Sequence, residues 1–348
     1  MTSWEDRTVV VTGGASFIGS HLVDRLTSLG AKVTVVDNLS SGSLENLSKS
    51  PNIRFVNLDL ESGDTAKVAN VFRGNEVVFH LAADHGGRGY IDSHPANVCS
   101  NLSIDHHTFE ASFRAGVEKV VFASSACVYP PSLQTGRDSD YLLREEDSQP
   151  TRLHEPLSAD LEYGWCKLMG EMQLNSFIKQ YGLKGCSLRF VTAYGERENE
   201  THAIIALIHK AHERMDPFMI WGDGWQSRDF TYVGDIVDGT ILAAERISDG
   251  TQINLGTGRR FKVREVAEMI LEIMNFHPRV MYDVSKPTGV MNRALCIDRA
   301  KALLGWEPKH TFREGLDRTI NWYTATHTPT GRVREDLLID RIQLRLPN

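Results

Sequence analysis

The stretch Thr8–Gly19, TVVVTGGASFIG, decides the fold. Its valine run is short, apolar and β-branched, and a pair of glycines ends it, which predicts a buried strand followed by a tight turn. Phe17, Ile18 and the leucines after them recur at helical spacing as far as Gly30, a residue suited to end a helix. The glycines therefore stand between a strand and a helix N-terminus, where unpaired N–H groups and the helix dipole attract a pyrophosphate.

Further residues of this unit indicate a dinucleotide site. Gly13 permits the tight turn and Gly19 lets the helix approach the strand, while Ser16 replaces the middle glycine of the usual pattern. A second apolar run, Val33–Val36, ends at Asp37, whose carboxylate can accept both ribose hydroxyls of adenosine and would repel a 2′-phosphate. We therefore expect NAD and not NADP. The alternative is an ordinary strand-turn-helix unit with a surface aspartate.

The composition bounds the class of protein. The 348 residues are 41% hydrophobic, which suits a layered α/β core with a smaller appended domain. The net charge of −7 argues against a nucleic-acid scaffold. The start, MTSWEDRTVVV, is not a signal segment, and no apolar run approaches the ~20 residues of a membrane span, so we expect a cytoplasmic protein without a membrane partner. The five cysteines lack CxxC spacing, which argues against zinc and disulfides.

Short apolar runs alternate with stretches long enough for crossover helices. These runs lie at Ile53–Val56, Val77–Leu81, Val120–Ala123 and Cys186–Phe190. The alternation predicts an α/β fold, with a doubly wound parallel Rossmann sheet and a smaller C-terminal substrate-binding domain. We expect the NAD-binding domain to span 1–191 and about 229–258, the substrate-binding domain to span about 192–228 and 259–327, and 328–348 to be a C-terminal tail without an assigned role.

The strand ends and the loops after them are candidate ligand contacts, because ligands bind at the carboxyl ends of parallel strands. Asp59 follows one strand and Leu81–Ala83 another, positions that would flank adenine and pyrophosphate. The glycine-dense loop Asp84–Gly89 suits close approach to a sugar or phosphate, and it equally suits a flexible loop. The segment Asn97–Ala115 predicts a helix that turns Asn101 toward the cofactor.

A tyrosine and a lysine on one predicted helix indicate the chemistry. Tyr163 and Lys167 are one turn apart, so both side chains reach the same helix face. A phenol has an unperturbed pKa near ~10, and an adjacent ammonium stabilises the phenolate, which makes the tyrosine a usable proton acceptor. Ser125, at the end of a predicted strand, can bind the same substrate hydroxyl and orient it for hydride removal by a nicotinamide.

Six segments in order resemble a known family. TGGASFIG, VVDN, HLAAD, FASSACVYP, YGWCKLMGE and RDFTYVGD are similar to motifs of the extended short-chain dehydrogenase/reductase family, the NAD-dependent sugar-nucleotide epimerases and dehydratases. The resemblance covers about residues 8–325 and implies bound NAD, a nucleoside-diphosphate sugar as substrate, and a homodimer formed through two helices. The residues expected at the cofactor are Gly13, Ser16, Phe17, Ile18, Gly19, Asp37, Asn38, Ser41, Asp59, Leu60, Leu81, Ala82, Ala83, Asn101, Tyr163 and Lys167.

Two segments refine the resemblance. LAADHGGRGY with SSACVYP is most similar to the GDP-mannose 3,5-epimerases, and the cysteine is also found in the GDP-L-fucose synthases. This implies that Cys127 and His202 carry protons. THAIIALIHKA resembles the histidine segment of the synthases, whereas the mannose epimerases have lysine there. Dehydratases of the family have an Asp-Glu pair where Ala126 and Cys127 stand, so simple dehydration is disfavoured.

Proton exchange beside a ketone needs two groups. A ketone at carbon 4 acidifies the protons on carbons 3 and 5, and inversion removes a proton from one face and returns one to the other. A thiol and an imidazole can both do this near neutral pH. The alternatives are that Cys127 is a small core residue and that His202 is a solvent-exposed residue at a helix start.

Cations are implied around the substrate. Guanidinium groups bind phosphate bidentately, which fits arginines at the diphosphate, although Lys210 suits a solvated helix face equally well. Trp221 and Trp225 suit either stacking on a base or packing under a turn. Thr192 stands where family members usually have asparagine. The residues expected at the substrate are His85, Gly86, Arg88, Ser125, Ala126, Cys127, Thr192, His202, Lys210, Gln226, Arg228 and Arg293, of which Lys210, Gln226, Arg228 and Arg293 are expected to hold the diphosphate.

The sequence thus predicts an NAD-dependent epimerase of a nucleoside-diphosphate sugar, with a GDP-hexose favoured. It would oxidise carbon 4, exchange protons at carbon 5 and/or carbon 3, and return the hydride. An NDP-hexose 4-epimerase is one alternative. A reductase of the GDP-L-fucose synthase type is another, against which Asp37 argues because such an enzyme consumes NADPH. A non-enzymatic NAD sensor is the third, and the complete set of Ser125, Tyr163 and Lys167 argues against it.

Overall fold

The computed structural model describes residues 4–148 and 157–329. The strands in this part of the chain are β1 Thr8–Thr12, β2 Lys32–Asp37, β3 Ile53–Asn57, β4 Val77–His80, β5 Lys119–Ser125, β6 Lys184–Phe190, β7 Thr192–Tyr194, β8 Phe218–Trp221, β9 Ser227–Arg228, β10 Phe230–Tyr232, β11 Asp249–Leu255, β12 Phe261–Lys262, β13 Val280–Asp283 and β14 Asn292–Arg293. The helices are α1 Phe17–Ser28, α2 Thr65–Phe72, α3 Arg88–Ser93, α4 Pro95–Val98, α5 Asn101–Ala115, α6 Leu161–Tyr181, α7 Ala203–His212, α8 Val233–Arg246, α9 Val263–Ile273, α10 Asp298–Leu304 and α11 Phe312–Thr326.

The central sheet has seven parallel strands in the order β3-β2-β1-β4-β5-β6-β11. The strand order reverses beside β1, which pairs with β2 on one side and β4 on the other. In such a sheet a crevice opens at the carboxyl ends of the strands where the order reverses, and ligands bind there. The predicted doubly wound Rossmann sheet is confirmed.

The valines of β1 explain why this strand lies at the centre. Val9 and Val11 pack into one hydrophobic core with α1 and β2, and Val10 packs into a second core with α2 and α5. All three are fully buried. A strand covered on both faces has no polar position, so its sequence is a continuous apolar run and does not alternate.

The strands outside the central sheet form small sheets of two or three strands. β7 pairs with β10, β9 lies between β12 and β14, and β8 pairs with β13. Most of these strands fall in the segments predicted to bind substrate. Helix α10 comes from the same segments but packs against α8 and β11, where the Trp306 indole donates to the carbonyl of Asp235 at 3.1 Å. The exact division into two domains remains a prediction, and residues 330–348 of the predicted tail lie outside the described residues.

One predicted helix is interrupted. The segment Asn97–Ala115 was expected to be one helix, but α4 ends at Val98 and α5 begins at Asn101. The Asn101 amide donates to the carbonyl of Val98 at 2.8 Å, the group that the next helical turn would otherwise use. The single-helix prediction is therefore wrong at Cys99 and Ser100, because a side chain competes for the backbone acceptor.

No helix in the described ranges is both long enough and apolar enough to cross a bilayer.

Asp229 links three segments of the chain by hydrogen bonds. It is fully buried, and its carboxylate accepts from the N–H groups of Thr257, Gly258 and Leu295 and from the Thr257 hydroxyl at 2.6 Å. Burial raises the pKa of this carboxyl, and the hydrogen bonds oppose that rise. The side chain therefore fixes the loop after β11 against the segment after β14.

We expect Asp229→Ala to lower the free energy of unfolding by about 3 kcal/mol, because it leaves buried donors unpaired. Urea denaturation measures this. Asp238→Ala is the matched control, because Asp238 makes only partly exposed ion pairs with Arg25 and Lys309 and its loss should cost about 1 kcal/mol or less. Equal losses in the two variants would contradict the role of Asp229 as a clamp.

Candidate active site

A cavity of about 410 Å³ opens at the carboxyl ends of β1, β4 and β5 and extends to α7 and β9. The predicted site residues that line it are Gly13, Ser16, Phe17, Ile18, Gly19, Leu81, Ala83, His85, Gly86, Arg88, Ser125, Ala126, Cys127, Tyr163, Lys167, Thr192, His202, Lys210, Gln226, Arg228 and Arg293. The two halves of the predicted site therefore share one space, although they come from distant parts of the chain.

The glycine turn has the predicted geometry. Gly13 has a φ of +66°, and a Cβ on Gly19 would lie 2.1 Å from the carbonyl oxygen of Gly13. Ser16 precedes α1, but its side chain does not accept a hydrogen bond from the first turn of the helix. The N–H groups of that turn are therefore available to a ligand in the cavity. A backbone this close, beside an uncapped helix N-terminus, fits the pyrophosphate of a dinucleotide.

Asp37 accepts hydrogen bonds from the backbone at this turn. Its carboxylate accepts from the N–H of Ala15 at 3.0 Å and from the N–H of Leu39 at 2.8 Å, and the residue is 6% exposed. It borders the cavity region without lining it. A role for Asp37 in holding the adenosine ribose remains a prediction, to which the structure adds a role in shaping the turn.

Six other predicted cofactor residues also lie outside the cavity lining. They are Asn38, Ser41, Asp59, Leu60, Ala82 and Asn101. Asn101 is fully buried and bonds Asp84 in both directions, accepting from its N–H and donating to its carbonyl, each at 2.8 Å. The Asn101 side chain therefore positions the loop after β4. All six stay predictions as cofactor contacts.

Ser125, Tyr163 and Lys167 come together at the end of β5. Ser125 and Tyr163 both line the cavity, and the Lys167 ammonium lies 5.9 Å from the Tyr163 ring centre and 4.7 Å from that of Phe122. Burial raises the pKa of Tyr163 and lowers the pKa of Lys167. The phenol is thus protonated in this geometry, and its use as a base depends on positive charge brought into the cavity.

A buried ion pair fixes the end of β5. Arg189 donates to both oxygens of Glu171, at 2.8 and 2.7 Å, and Glu171 also accepts from the Ser124 hydroxyl at 2.6 Å. Arg189 and Glu171 are each almost fully buried. The pair holds Ser124 through the hydrogen bond to Glu171. Because Ser125 is the next residue in β5, its position is restricted as well.

Cys127 follows Ser125 and contacts a cation. Its Sγ lies 3.2 Å from the guanidinium of Arg293, which also donates to Asp160 at 2.7 Å and to Gln134 at 2.6 Å. Two bonds, to Asp160 and Gln134, therefore orient the guanidinium toward the sulfur. The sulfur therefore faces both the cavity and a guanidinium.

His202 stands at the N-terminus of α7 and pairs with an acid. Its Nδ1 lies 2.8 Å from Glu198 Oε1, and the Glu198 side chain is 1% exposed. Burial raises the pKa of Glu198 and the bond to His202 opposes the rise. The Glu198 contact occupies Nδ1. Nε2 has no hydrogen-bond partner in the described part of the chain, so it is the ring nitrogen available to a ligand.

Cations outnumber acids in the outer part of the cavity. Arg88 and Arg293 both pair with Asp160, at 3.0 and 2.7 Å. Arg228 donates only to carbonyl oxygens, those of Ser227 and Thr288, and burial together with the neighbouring Arg293 lowers its pKa to about 9. An anion entering here would relieve that repulsion.

Other residues complete the lining. Lys210 donates to the carbonyl of Met219 at 2.7 Å, and burial lowers its pKa. The Oε1 of Gln226 is buried without a partner among the described residues, so it is an acceptor left for a ligand. Trp221 lines the cavity, whereas Trp225 lies outside it among the cations Arg137, Lys262 and Arg264. Burial lowers the pKa of His85 to about 4, and its ring centre lies 6.1 Å from that of His202.

Asp160 and Glu198 were missed by the sequence reasoning. Asp160 precedes α6 three residues before Tyr163, and Glu198 is four residues before His202. A carboxylate at the start of the helix that carries the tyrosine, and one a helical turn from the histidine, were the available signals.

The fold and the side chains around this cavity define a dinucleotide-dependent enzyme. The family model of the NAD dependent epimerase/dehydratase family matches residues 9–256, and the chain belongs to this family. The putative UDP-glucose 4-epimerase of Methanocaldococcus jannaschii is 32% identical, over 90% of this chain and 97% of that one. A GDP-mannose 3,5-epimerase of Oryza sativa is also 32% identical, over 90% of this chain and 81% of that one.

A solved structure agrees with the family. The UDP-glucose 4-epimerase of Thermotoga maritima with UDP-glucose superimposes with a TM-score of 0.81 at 32% identity, covering 92% of this chain and 99% of that one. As a member of this NAD-dependent family the chain uses NAD, which supplies an acceptor and donor of hydride. The assignment of the glycine turn to its pyrophosphate remains a prediction.

We expect Gly19→Ala to weaken NAD binding about tenfold or more, because the added Cβ would push the turn away from α1. Isothermal titration with NAD measures this directly. Ser28→Ala, at the exposed end of the same helix, is the matched control and should keep the wild-type affinity. Unchanged affinity in Gly19→Ala would mean that the close approach is not needed for the pyrophosphate.

Proposed function

We propose that this protein is an NAD-dependent epimerase of a nucleoside-diphosphate sugar that inverts a carbon next to a transient ketone. Cys127 and His202 line the same cavity as Ser125, Tyr163 and Lys167, and this observation carries the proposal. An enzyme that only moved a hydride at carbon 4 would have no use for a second pair of acid/base groups.

In this proposal Tyr163 takes the proton of the substrate hydroxyl while hydride leaves carbon 4. Ser125 orients the hydroxyl, and Lys167 adds positive charge beneath the ring. The fixed end of β5 keeps this geometry constant in both directions of the reaction.

The proton exchange is assigned to Cys127 and His202. The contact of Arg293 with the sulfur supports proton removal by Cys127 as a thiolate, which becomes a thiol. His202, whose Nδ1 is held by Glu198, donates a proton from Nε2 to the opposite face, and both groups then return to their starting states by exchange with water. After exchange at carbon 5 and/or carbon 3, the hydride returns to carbon 4 and the cofactor ends unchanged.

A diphosphate is assigned to the outer cations. Arg228 and Lys210 have no carboxylate among their described hydrogen-bond partners, and Gln226 offers an unpaired acceptor to a base. We favour a GDP-hexose because the DHGGRG segment, similar to that of the GDP-mannose 3,5-epimerases, contributes His85, Gly86 and Arg88 to the lining.

A 4-epimerase is the second candidate. Its support is the similarity to UDP-glucose 4-epimerases, both in sequence and in structure. Such an enzyme would turn the ketone over within the cavity and return hydride to the other face, without exchanging carbon-bound protons with water.

We expect turnover of one nucleotide sugar in heavy water to place deuterium at carbon 5 and/or carbon 3. Cys127→Ser and His202→Asn should each reduce this incorporation at least about 100-fold, because each removes one proton carrier. Mass spectrometry and NMR of the products of a panel of GDP- and UDP-hexoses measure it. Cys99→Ser is the control, because Cys99 is exposed and does not line the cavity. Turnover without deuterium would favour the 4-epimerase.

A homodimer is also proposed, through α5 and α6. Trp165, Met169 and Met172 recur along α6 at helical spacing and are each more than 40% exposed, and Phe113 of α5 stacks on Tyr181 of α6 at 4.4 Å with both rings exposed. Large apolar side chains clustered on two adjacent helices suit burial against a second copy. A cytoplasmic location is proposed on the sequence alone.

We expect Trp165→Glu to convert the dimer into a monomer, because it places a charge in the proposed contact. Sedimentation velocity measures the change. Leu303→Glu replaces a similarly exposed apolar residue on α10, away from α5 and α6, and should leave the dimer intact. If the wild type sediments as a monomer, or if only Leu303→Glu dissociates it, this interface is wrong.

A further inference from the structure

A chain of buried polar groups runs beneath the active site. The Thr12 hydroxyl lies 2.8 Å from His80 Nδ1, and His80 Nε2 lies 3.0 Å from Asp105 Oδ1. All three residues are completely buried, and they come from β1, β4 and α5. None of them belongs to the site described above.

The hydrogen bonds fix where the protons lie. Thr12 Oγ1 accepts from the N–H groups of Leu81 and Ala82, both at 3.2 Å, so its own proton points to His80 Nδ1. Nδ1 is therefore an acceptor, and the His80 proton is on Nε2 and is donated to Asp105. Burial lowers the pKa of His80, in keeping with a neutral ring. Asp105 then carries a negative charge that His80 does not neutralise.

The second oxygen of Asp105 points to the helix of the catalytic pair. Oδ2 is buried and has no hydrogen-bond partner among the described residues. A Cβ on Gly170 of α6 would lie 2.5 Å from it, so the glycine allows α6 to pass directly over the carboxylate. Lys167, 2% exposed, is one turn earlier on α6.

Few of the side chains around Asp105 are charged. α6 contributes Tyr163, Cys166 and Lys167, and β4 contributes the neutral His80, while Phe122 of β5 and Phe109 of α5 are apolar. The charge of Asp105 raises the pKa of Lys167, which burial lowers, and it also raises the pKa of Tyr163. Among these groups of α6, β4, β5 and α5, Lys167 is the cation on which this carboxylate acts.

We propose that Asp105 is the buried counter-charge of Lys167 and sets the pH range in which the Tyr163–Lys167 pair works. It is a positioning residue, held by Thr12 and His80, that touches neither substrate nor cofactor. The inference rests on the proposed use of Tyr163 and Lys167 as the catalytic pair.

The test is Asp105→Asn in the full-length enzyme. Removing a negative charge makes both deprotonations of the coupled pair easier, so both limbs of the pH profile of kcat/KM should move to lower pH. On the alkaline limb, activity should fall about five- to tenfold relative to the wild type. A purely structural residue would lower activity at every pH without moving the limbs.

A second readout needs no substrate. The near-ultraviolet phenolate titration of each NAD-bound protein, after subtraction of the same titration for its Tyr163→Phe variant, isolates Tyr163, because the positive charge of the cofactor opposes the rise that burial causes in its pKa. Its midpoint should fall in Asp105→Asn and in Asp105→Thr, and should stay at the wild-type value in Asp105→Glu. Ser112→Ala, which removes another buried polar group from α5, is the control and should not move it.

The outcomes are separable. Unmoved midpoints in both neutral variants, or an equal shift in Asp105→Glu, would overturn the inference whatever the sugar substrate is. Full turnover by Tyr163→Phe would overturn the proposed catalytic pair, and the titration would still show whether Asp105 acts on Tyr163. If Asp105→Asn does not fold, Asp105→Thr decides, because its hydroxyl can still accept from His80.

Discussion

The contact between the Arg293 guanidinium and the sulfur of Cys127, at 3.2 Å, is the interaction on which the proposed chemistry depends. It joins the end of β5, in the central sheet, to β14, in a small sheet more than a hundred residues later. Asp160, at the start of α6, holds the guanidinium in place. The same helix carries the tyrosine and the lysine, so one short region fixes the thiol, the cation and the base relative to one another.

The side chains that line the cavity carry more positive than negative charge, which suits a bound anion. Three arginines and two lysines line it, and Asp160 is the carboxylate that pairs with two of the arginines. The acids that serve catalysis lie behind the lining and act through other groups: Glu198 on His202, Glu171 on Ser124, and, as we infer, Asp105 on Lys167. This arrangement leaves the cavity surface positive for a diphosphate while each reactive group keeps a partner.

Much of the fold could be predicted from the sequence, because a buried parallel sheet has local signals. The valine runs of β1 and β2 and the glycines of the turn between strand and helix are contiguous in the chain, and both features are confirmed. The helix break at Cys99 was not predicted, because the Asn101 side chain that bonds the Val98 carbonyl is itself placed by its hydrogen bond to Asp84, which is distant in the chain.

The site was predicted less completely than the fold. Motif residues such as Ser125 and Tyr163 line the expected cavity, whereas the carboxylates that orient Arg293 and His202 were missed. Glu198 lies four residues before His202 and so had a local signal, whereas Asp160 meets Arg293, 133 residues further along the chain, only in the folded protein. Arg293 was expected at a diphosphate, and only the structure brings it to a sulfur as well.

The most direct test is the reactivity of Cys127 itself. Alkylation by iodoacetamide near neutral pH, followed residue by residue by mass spectrometry, compares Cys127 with the exposed Cys99 in the same molecule. If the guanidinium stabilises the thiolate, Arg293→Gln will slow the labelling of Cys127 about tenfold or more and leave that of Cys99 unchanged. Equal or faster labelling of Cys127 in the variant would contradict an activated thiol and, with it, the proposed proton exchange.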